Sequence, residues 1–530
     1  SQISPYEGML NEGYYDALVA SKAQAWRLPS ISAAAYEYNH FRDRQWYIYG
    51  GVFVRYLAEQ YGEKKLSQLF TEYGTYYWAF VVGDLFPGLA LGQAAEKIYG
   101  KSLPQLYKEW QAYERRQHQN WELDGKPVIE TGGGRIYSLT AAGGKLYYFK
   151  EKRFDFTPLG KVEAGNHKRI KVVEYNPATG REKYITSLNW LGTKQLQVAG
   201  DKLYYTKGEY ITGFSNVKES GAGKIENLYS YDLTTGVERR LLREQIIDFT
   251  VTEDRIIYCC PTESEPGTEI WSYRQGKKKK LGQVKQIIGD LESNKNSLLV
   301  VSKKKFGSWN ISRLNLDNFQ VIPLINTPYL EKLPKVAGER IYFTANYGGE
   351  YAVYQYNLGT EEVKRLTHGN YAKDGLVLGD QLYFVTLTPE GETIHQTQID
   401  AHNFSLPPQG EITPPDIKLP PETEQPGVIT RNLSYLLAPQ FTEVPYLLPL
   451  QEKRLTISGE DGIGFTNYQL SYVDFSDLQF QFATSLLRPL YLSLQIGKIK
   501  TSQQTSQLEI EYEPIYDQLD SGLTHFSLDY

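Results

Sequence analysis

The chain has 530 residues, 41% hydrophobic and 22% charged, with a net charge of −5; that length implies about three folded units, and the balance gives no basic face for nucleic acid. No apolar run approaches the ~18 residues of a membrane-spanning helix. Cys259 and Cys260 are adjacent in an apparent strand, so they offer no disulfide framework, and two buried or half-buried thiols are expected.

Residues 1–125 read as helical. Tyr14-Tyr15-Asp16-Ala17-Leu18-Val19 starts an apolar face, and Leu28-Pro29-Ser30 breaks it. The run 47–57 carries apolar residues at helical spacing and ends near Tyr61-Gly62. A helix is predicted over 64–73, another over 93–99 stopping at Gly100, an αL terminator, and a third opening at Ser102-Leu103-Pro104 and running past Trp110 to His118.

Two of these phrases resemble the C-terminal helical half of gluzincin-type (peptidase MA-like) zinc metallopeptidases: Tyr47-Ile48-Tyr49-Gly50-Gly51-Val52-Phe53-Val54-Arg55-Tyr56-Leu57 followed by Tyr61-Gly62, and Ala95-Glu96-Lys97-Ile98-Tyr99-Gly100-Lys101-Ser102-Leu103 followed by Trp110. That family grips zinc with His-Glu-x-x-His on one helix and a downstream Glu. None of the seven histidines (His40, His118, His167, His368, His395, His402, His525) has a second four residues on. His395 and His402 lie seven apart in a strand-like region, where a shared metal is not expected. Glu7-Gly8 and Glu12-Gly13 faintly resemble the third-ligand Glu-Gly but lie too near Tyr14-Tyr15. The expectation is no catalytic, cofactor-binding or metal residues in this chain, with zinc possible in a longer form whose metal helix precedes Ser1; Ser1 itself opens no signal-peptide pattern.

Residues 126–405 are periodic. The phrase Gly200-Asp201-Lys202-Leu203-Tyr204-Tyr205 returns at 143–148, 253–258, 338–343 and 379–384, with a degenerate copy at 294–300, a spacing of roughly 40 to 57 residues that suits a four-stranded propeller blade. Each copy is followed by a second strand and a turn: Val172-Val173-Glu174-Tyr175-Asn176 into Pro177-Ala178-Thr179-Gly180, Leu228-Tyr229-Ser230-Tyr231-Asp232 into Leu233-Thr234-Thr235-Gly236, and Val353-Tyr354-Gln355-Tyr356-Asn357. The Asn or Asp can bond the turn backbone, and Gly180 and Gly236 can supply positive φ. The phrase Tyr231-Asp232-Leu233-Thr234-Thr235-Gly236 is similar to the blades of TolB-like periplasmic proteins. The resemblance implies a six-bladed β-propeller; the stretches between repeats differ most at about 151–168 and 206–224, and these insertions are expected to stand on one rim.

Pro407-Pro408, Pro414-Pro415, Pro420-Pro421 and Pro426 mark 406–450 as an extended linker. Over 451–530 the period becomes two: Tyr468, Leu470 and Tyr472; Leu478, Phe480 and Phe482; Leu492, Leu494 and Ile496; Leu508, Ile510 and Tyr512 all alternate with polar residues. Long two-faced antiparallel strands fit a membrane barrel, apolar face outward, although four or five strands cannot close one. Gly459-Glu460-Asp461-Gly462-Ile463-Gly464 resembles the entry of a surface-antigen-type outer-membrane barrel. A small soluble sheet is the competing reading.

No Gly-x-Ser-x-Gly elbow occurs. Gly132-Gly133-Gly134 precedes a strand and is expected to turn the chain, Glu361-Glu362 to sit at a hairpin tip, and Lys277 to Lys280 and Lys303 to Lys305 to be solvated hairpin tips. The whole reads as mainly β: a six-bladed propeller with an N-terminal helical domain and a C-terminal antiparallel meander, a partial barrel. The expected function is a cell-envelope scaffold in the periplasm or outer membrane of a two-membrane bacterium. It would take a protein or peptide on the propeller's rim or funnel, touch the outer membrane through its C-terminal strands, and bind no nucleic acid. The alternative is a zinc metallopeptidase fragment.

Overall fold

The computed structural model describes residues 8, 10–11, 13–36, 45–76, 88–131, 134–153, 168–188, 195–210, 224–262, 267–294, 297–303, 308–408, 440–443, 454–460, 466–473, 477–484, 490–498, 504–512 and 524–529. The chain divides into two compact units, one of 1–56 with 107–416 and one of 57–106 with 417–530. Six helices lie among the described residues: α1 (Tyr14–Gln24), α2 (Ile31–Tyr36), α3 (Gln45–Tyr61), α4 (Glu63–Tyr73), α5 (Leu89–Tyr99) and α6 (Leu103–Gln117). Gly100 ends α5 at φ 70°, the left-handed turn that a residue without Cβ adopts at little cost. No helix among the described residues is long and apolar enough to cross a membrane.

The first unit is dominated by six antiparallel sheets. Their first strands are, in order, Arg135–Ala142, Leu196–Ala199, Asp248–Val251, Ile287–Asn294, Glu331–Ala337 and Lys373–Leu378. Each of these touches the first strand of the next sheet, and the sixth touches the first. The glycine-rich turns of the repeated phrase join first strand to second: Gly143, Gly144, Gly200, Gly338 and Gly379 all have positive φ. The asparagines and aspartate at the ends of the third strands do what their short polar side chains allow. Asn176 Oδ1 accepts from Ala178 N–H at 3.0 Å, Asp232 Oδ1 from Thr235 N–H at 2.8 Å, Asn315 Oδ1 from Asp317 N–H at 2.7 Å and Asn357 Oδ1 from Gly359 N–H at 2.8 Å.

Alternation along the strands buries both faces of each sheet. Tyr147 and Phe149 join Leu203 and Tyr205 between sheets one and two, while Leu146 and Tyr148 join Val385 and Ile394 between sheets one and six. Leu228 and Phe249 lie between sheets two and three, Cys259 and Val300 between three and four, Leu299 and Phe343 between four and five, and Tyr342 and Phe384 between five and six. A lone sheet would leave both faces wet, so the apolar burial that holds each sheet comes from its neighbours. The arrangement is propeller-like. Sheet six takes its outermost strand, Lys126–Glu130, from the beginning of the ring, where Ile129 pairs with Ile394.

Helix α1 belongs to the same unit and lies against sheet six. Gly13, which caps it at φ 89°, sits so near the Gly349 carbonyl that a Cβ would come within 2.3 Å of the oxygen. Tyr14 then stands over Tyr371, with Arg135 and Lys373 about its ring, and Arg27 pairs with Glu390. Phe53 of α3 packs edge-on to Tyr107 and beside Trp110 of α6, a buried aromatic cluster.

The second unit contains α4 and α5, joined by Lys97 and Glu72 at 2.7 Å, and an antiparallel sheet of seven strands in sequence order. The sequence pointed to four or five; Gln440–Glu443, Arg454–Glu460 and Thr524–Asp529 extend it. Among the described residues the first and last strands do not pair, so the meander is open. Its register aligns one apolar row across five strands, Tyr468, Phe482, Leu494, Leu508 and Leu528. On that face Leu478 is 53% exposed, whereas Ser471 of the opposite face is 2% exposed. Gly459 and Glu460 end a strand, and the remainder of that phrase, like the linker from 409 to 439 and most of both expected rim insertions, lies outside the described residues.

Candidate functional site: a charged cavity at the centre of the ring

The first strands of the six sheets surround a cavity of about 530 Å³. Its lining carries four carboxylates, Asp248, Asp290, Glu292 and Asp374, and two ammonium groups, Lys335 and Lys373. The positions follow from the way these strands bulge. Register slips at Tyr137/Thr140, Ile288/Asp290, Lys332/Lys335 and Lys373/Leu376 re-aim residues that would otherwise alternate. Ser138, Leu333 and Asp374 adopt the left-handed backbone at three of them, with φ of 59°, 54° and 50°.

Side chains at these slips, Ser138, Asp290 and Asp374, together with Gln197, Asp248 and Thr344 at regularly paired positions, fasten each sheet to the next. Ser138 Oγ accepts from Leu196 N–H at 2.8 Å, Gln197 Oε1 from Val251 N–H at 2.8 Å, Asp248 Oδ2 from Leu291 N–H at 2.7 Å and Asp290 Oδ2 from Leu333 N–H at 2.9 Å. Thr344 Oγ1 accepts from Asp374 N–H at 2.9 Å, and Asp374 Oδ2 from Leu139 N–H at 2.8 Å, which returns to sheet one. Lys335 reaches Asp374 Oδ1 at 3.4 Å and donates to the Leu139 carbonyl. All six junctions thus carry a side-chain clamp on a main-chain N–H, which satisfies backbone groups that face inward without a strand partner.

The electrostatics divide these acids by task. Burial pushes the Asp248 carboxyl well above the usual carboxylate range, with Asp290 adding to the effect, and burial raises Asp290 as well. Burial also lifts Glu292, to about 7, against the pull of Lys335. Lys373 is engaged by Glu392, whose other oxygen accepts from Ile136 N–H at 2.8 Å. Glu292 is therefore a cavity carboxylate poised to change charge near neutral pH, and a bound cation would favour its ionised form.

The cavity was not legible as a motif, because Asp290 and Asp374 sit at register slips and the partners of the clamping acids are main-chain amides that any residue supplies. A faint signal exists in the spacing: Asp248 and Asp290 each clamp the amide 43 residues on. The residues the sequence did single out lie elsewhere. His118 is 3.2 Å from Glu114, and His395 Nδ1 is 2.7 Å from the Asp124 carbonyl. His368 and His402 are exposed and edge to face, their rings 4.5 Å apart. His525 lies on Thr524–Asp529, while His40, His167, Glu7, Glu12, Gly132 and Gly133 lie outside the described residues. Lys277 to Lys280 are exposed but form an outermost strand rather than a tip; Lys278 pairs with Glu244 and Lys280 with Glu269. Lys303 stands over the Trp309 ring, and Lys304 and Lys305 lie outside the described residues. Glu361, at φ 58°, and Glu362 lie at a hairpin tip. Cys259 is buried and Cys260 half-buried, burial pushing the latter thiol up to about 12.

No protein-family model matches the chain. No curated protein matches it in sequence. Among solved structures it is similar to TolB from Acinetobacter baumannii at 12% identity and TM-score 0.32, over 57% of this chain and 72% of that one. It is also similar to the β-propeller domain of the Trilobed protease from Pyrococcus furiosus, at 12% identity and TM-score 0.35 over 51% and 97% of the two chains. A third is a TolB-type structure from Agrobacterium tumefaciens, at 12% identity and TM-score 0.34 over 52% and 92%.

Proposed function

We propose that the chain is a binding scaffold of the cell envelope, a six-bladed propeller whose central cavity takes a cationic group of a protein or peptide partner. The observation that carries this is the cavity lining, four carboxylates to two lysines, with both lysines already engaged by Asp374 and Glu392. A lysine, an arginine or a peptide amino terminus entering the funnel would meet Glu292 without displacing an existing ion pair. In a cavity walled by low-dielectric sheets, such a contact is stronger than on an open surface. Binding would favour the charged form of Glu292 and release a proton as pH falls toward 7.

Isothermal titration of the full chain with short peptides that differ only by lysine or norleucine at one position tests this. The lysine peptide binds at pH 8, binds more weakly at pH 6, and loses about tenfold in affinity with Glu292→Gln, as expected for one charge-assisted contact. Equal affinity for both peptides, or no effect of Glu292→Gln, would overturn it.

A second reading is that the helical phrases belong to a zinc metallopeptidase whose metal helix lies upstream. It is favoured by the packing of the two phrases on each other through Phe53 and Trp110. Coding sequence upstream of Ser1 decides it, since the reading requires a His-Glu-x-x-His there. The outer-membrane role of the seven-stranded meander is part of the first proposal and is supported by its apolar row.

A further inference from the structure

Away from the cavity, three side chains from two stretches of the chain converge on the outer edge of sheet five. His368 follows the outermost strand Val363–Arg365 of the ring-forming set, while Asp400 and His402 belong to the segment by which the chain leaves sheet six. That segment returns to sheet five, where His402–Asn403 adds a fifth strand by pairing with Arg365 and Lys364. The donor atoms of His368, Asp400 and His402 all lie within 4.8 Å of one another. His402 Nε2 is 3.2 Å from Asp400 Oδ2, and His368 Nε2 is 3.3 Å from the Asp400 carbonyl. In a tetrahedral site with bonds of about 2.0–2.1 Å, ligand atoms stand about 3.3 Å apart. Small side-chain rotations therefore bring all three onto one ion.

The positions are held by the backbone. His368 N–H donates to Asp124 Oδ2 at 2.8 Å, and His402 is fixed by its strand pairing. Arg365, the nearest cation on the strand, is turned aside, its Nε donating to the Thr367 carbonyl at 2.7 Å. Two imidazoles and one carboxylate with solvent at the remaining position suit a borderline transition ion and not calcium or magnesium, which take oxygen shells.

We propose that His368, Asp400 and His402 form a surface site for one divalent transition-metal ion, zinc being the representative, and that the ion pins the exit strand of the ring to sheet five. The site draws on residues 34 positions apart, so it can form only when that strand is in place. Metal binding is then linked to the order of His402–Asn403.

The test uses the chelator-stripped full chain, with Zn²⁺ in calorimetry and Co²⁺ in visible absorption. One ion binds per chain. His368→Gln with His402→Gln weakens binding at least tenfold and abolishes the Co²⁺ band, while His118→Gln binds like the parent. Zn²⁺ raises Tm and slows amide exchange at 402–403 in the parent and not in the double variant. Both histidines are exposed, so circular dichroism confirms that the double variant is folded. Failure of the parent to bind one ion, or undiminished binding by the folded double variant, would overturn the proposal.

Discussion

Glu331 shows how a single carboxyl can make this ring sensitive to pH. It has no exposed surface, and one of its oxygens accepts from Tyr347 OH at 2.9 Å and from Thr327 Oγ1. Burial nevertheless wins over these two hydrogen bonds and lifts its pKa to about 8. The unfolded chain would ionise the same group near 4.3. Between those values the folded state holds a proton that the unfolded state has released, so the stability contributed by the neutral form is full at low pH and is lost as pH rises through about 8. Glu331→Gln keeps the shape and removes the titration. Urea unfolding at pH 5, 7 and 9 will show the variant matching or trailing the parent at pH 5 and exceeding it at pH 9, by a swing on the order of a few kcal/mol. A constant difference across the series would remove Glu331 as the cause. Nothing in the sequence marked this group: Thr327 lies in the loop before its strand and Tyr347 in the turn after the next strand, Arg340–Ala345, and only the fold brings them to one oxygen.

At the scale of elements, the repeated hairpin was legible because its chemistry is local. Asp232 and Asn357 bond amides two and three residues on, so the residue type and its place in the phrase predict the turn. The clamps between first strands were not legible, because only the clamping side has a characteristic residue. Asp248 illustrates their worth: it is 2% exposed and accepts from both Phe249 and Leu291 N–H. Two effects oppose each other when it is removed. Losing a buried acid relieves its desolvation, whereas two buried amides lose their acceptor at about 1–3 kcal/mol each. Burial shifts the Asp248 carboxyl toward its neutral form, and both amides are buried where they meet it, so the lost acceptor contacts dominate. Asp248→Ala is expected to lose about 2 kcal/mol of unfolding free energy in urea at pH 7. Asp248→Asn, whose oxygen still accepts one bond, should lose less, and Ala at the exposed Asp317 should stay within about 0.5 kcal/mol. Equal losses at Asp248 and Asp317 would mean that the clamp contributes nothing.

For the ring as a whole, the decisive joint is the one the sequence order hides. Periodicity announced repeated sheets, but no local pattern says that Lys126–Glu130 leaves the first repeat to complete sheet six beside Gly391–Gln398. Closure matters because each sheet has two apolar faces, and a break at the seam would wet the cluster of Leu146, Tyr148, Val385 and Ile394 on both sides at once. The ring should therefore melt as one cooperative body and not shed sheets in turn. Ile129 is 4% exposed in that cluster, and Ile129→Ala removes three methyl-sized groups from the seam at a cost of about 2–4 kcal/mol. In a closed ring that loss lowers the unfolding midpoint of distant sheets too. Amides of Ile256–Pro261, across three interfaces from the seam, will exchange faster together with those of Gly391–Gln398. Hydrogen exchange read by mass spectrometry separates the alternatives. If only Gly391–Gln398 speeds up while Ile256–Pro261 keeps its protection, the seam is a local latch and the sheets do not depend on closure for their stability.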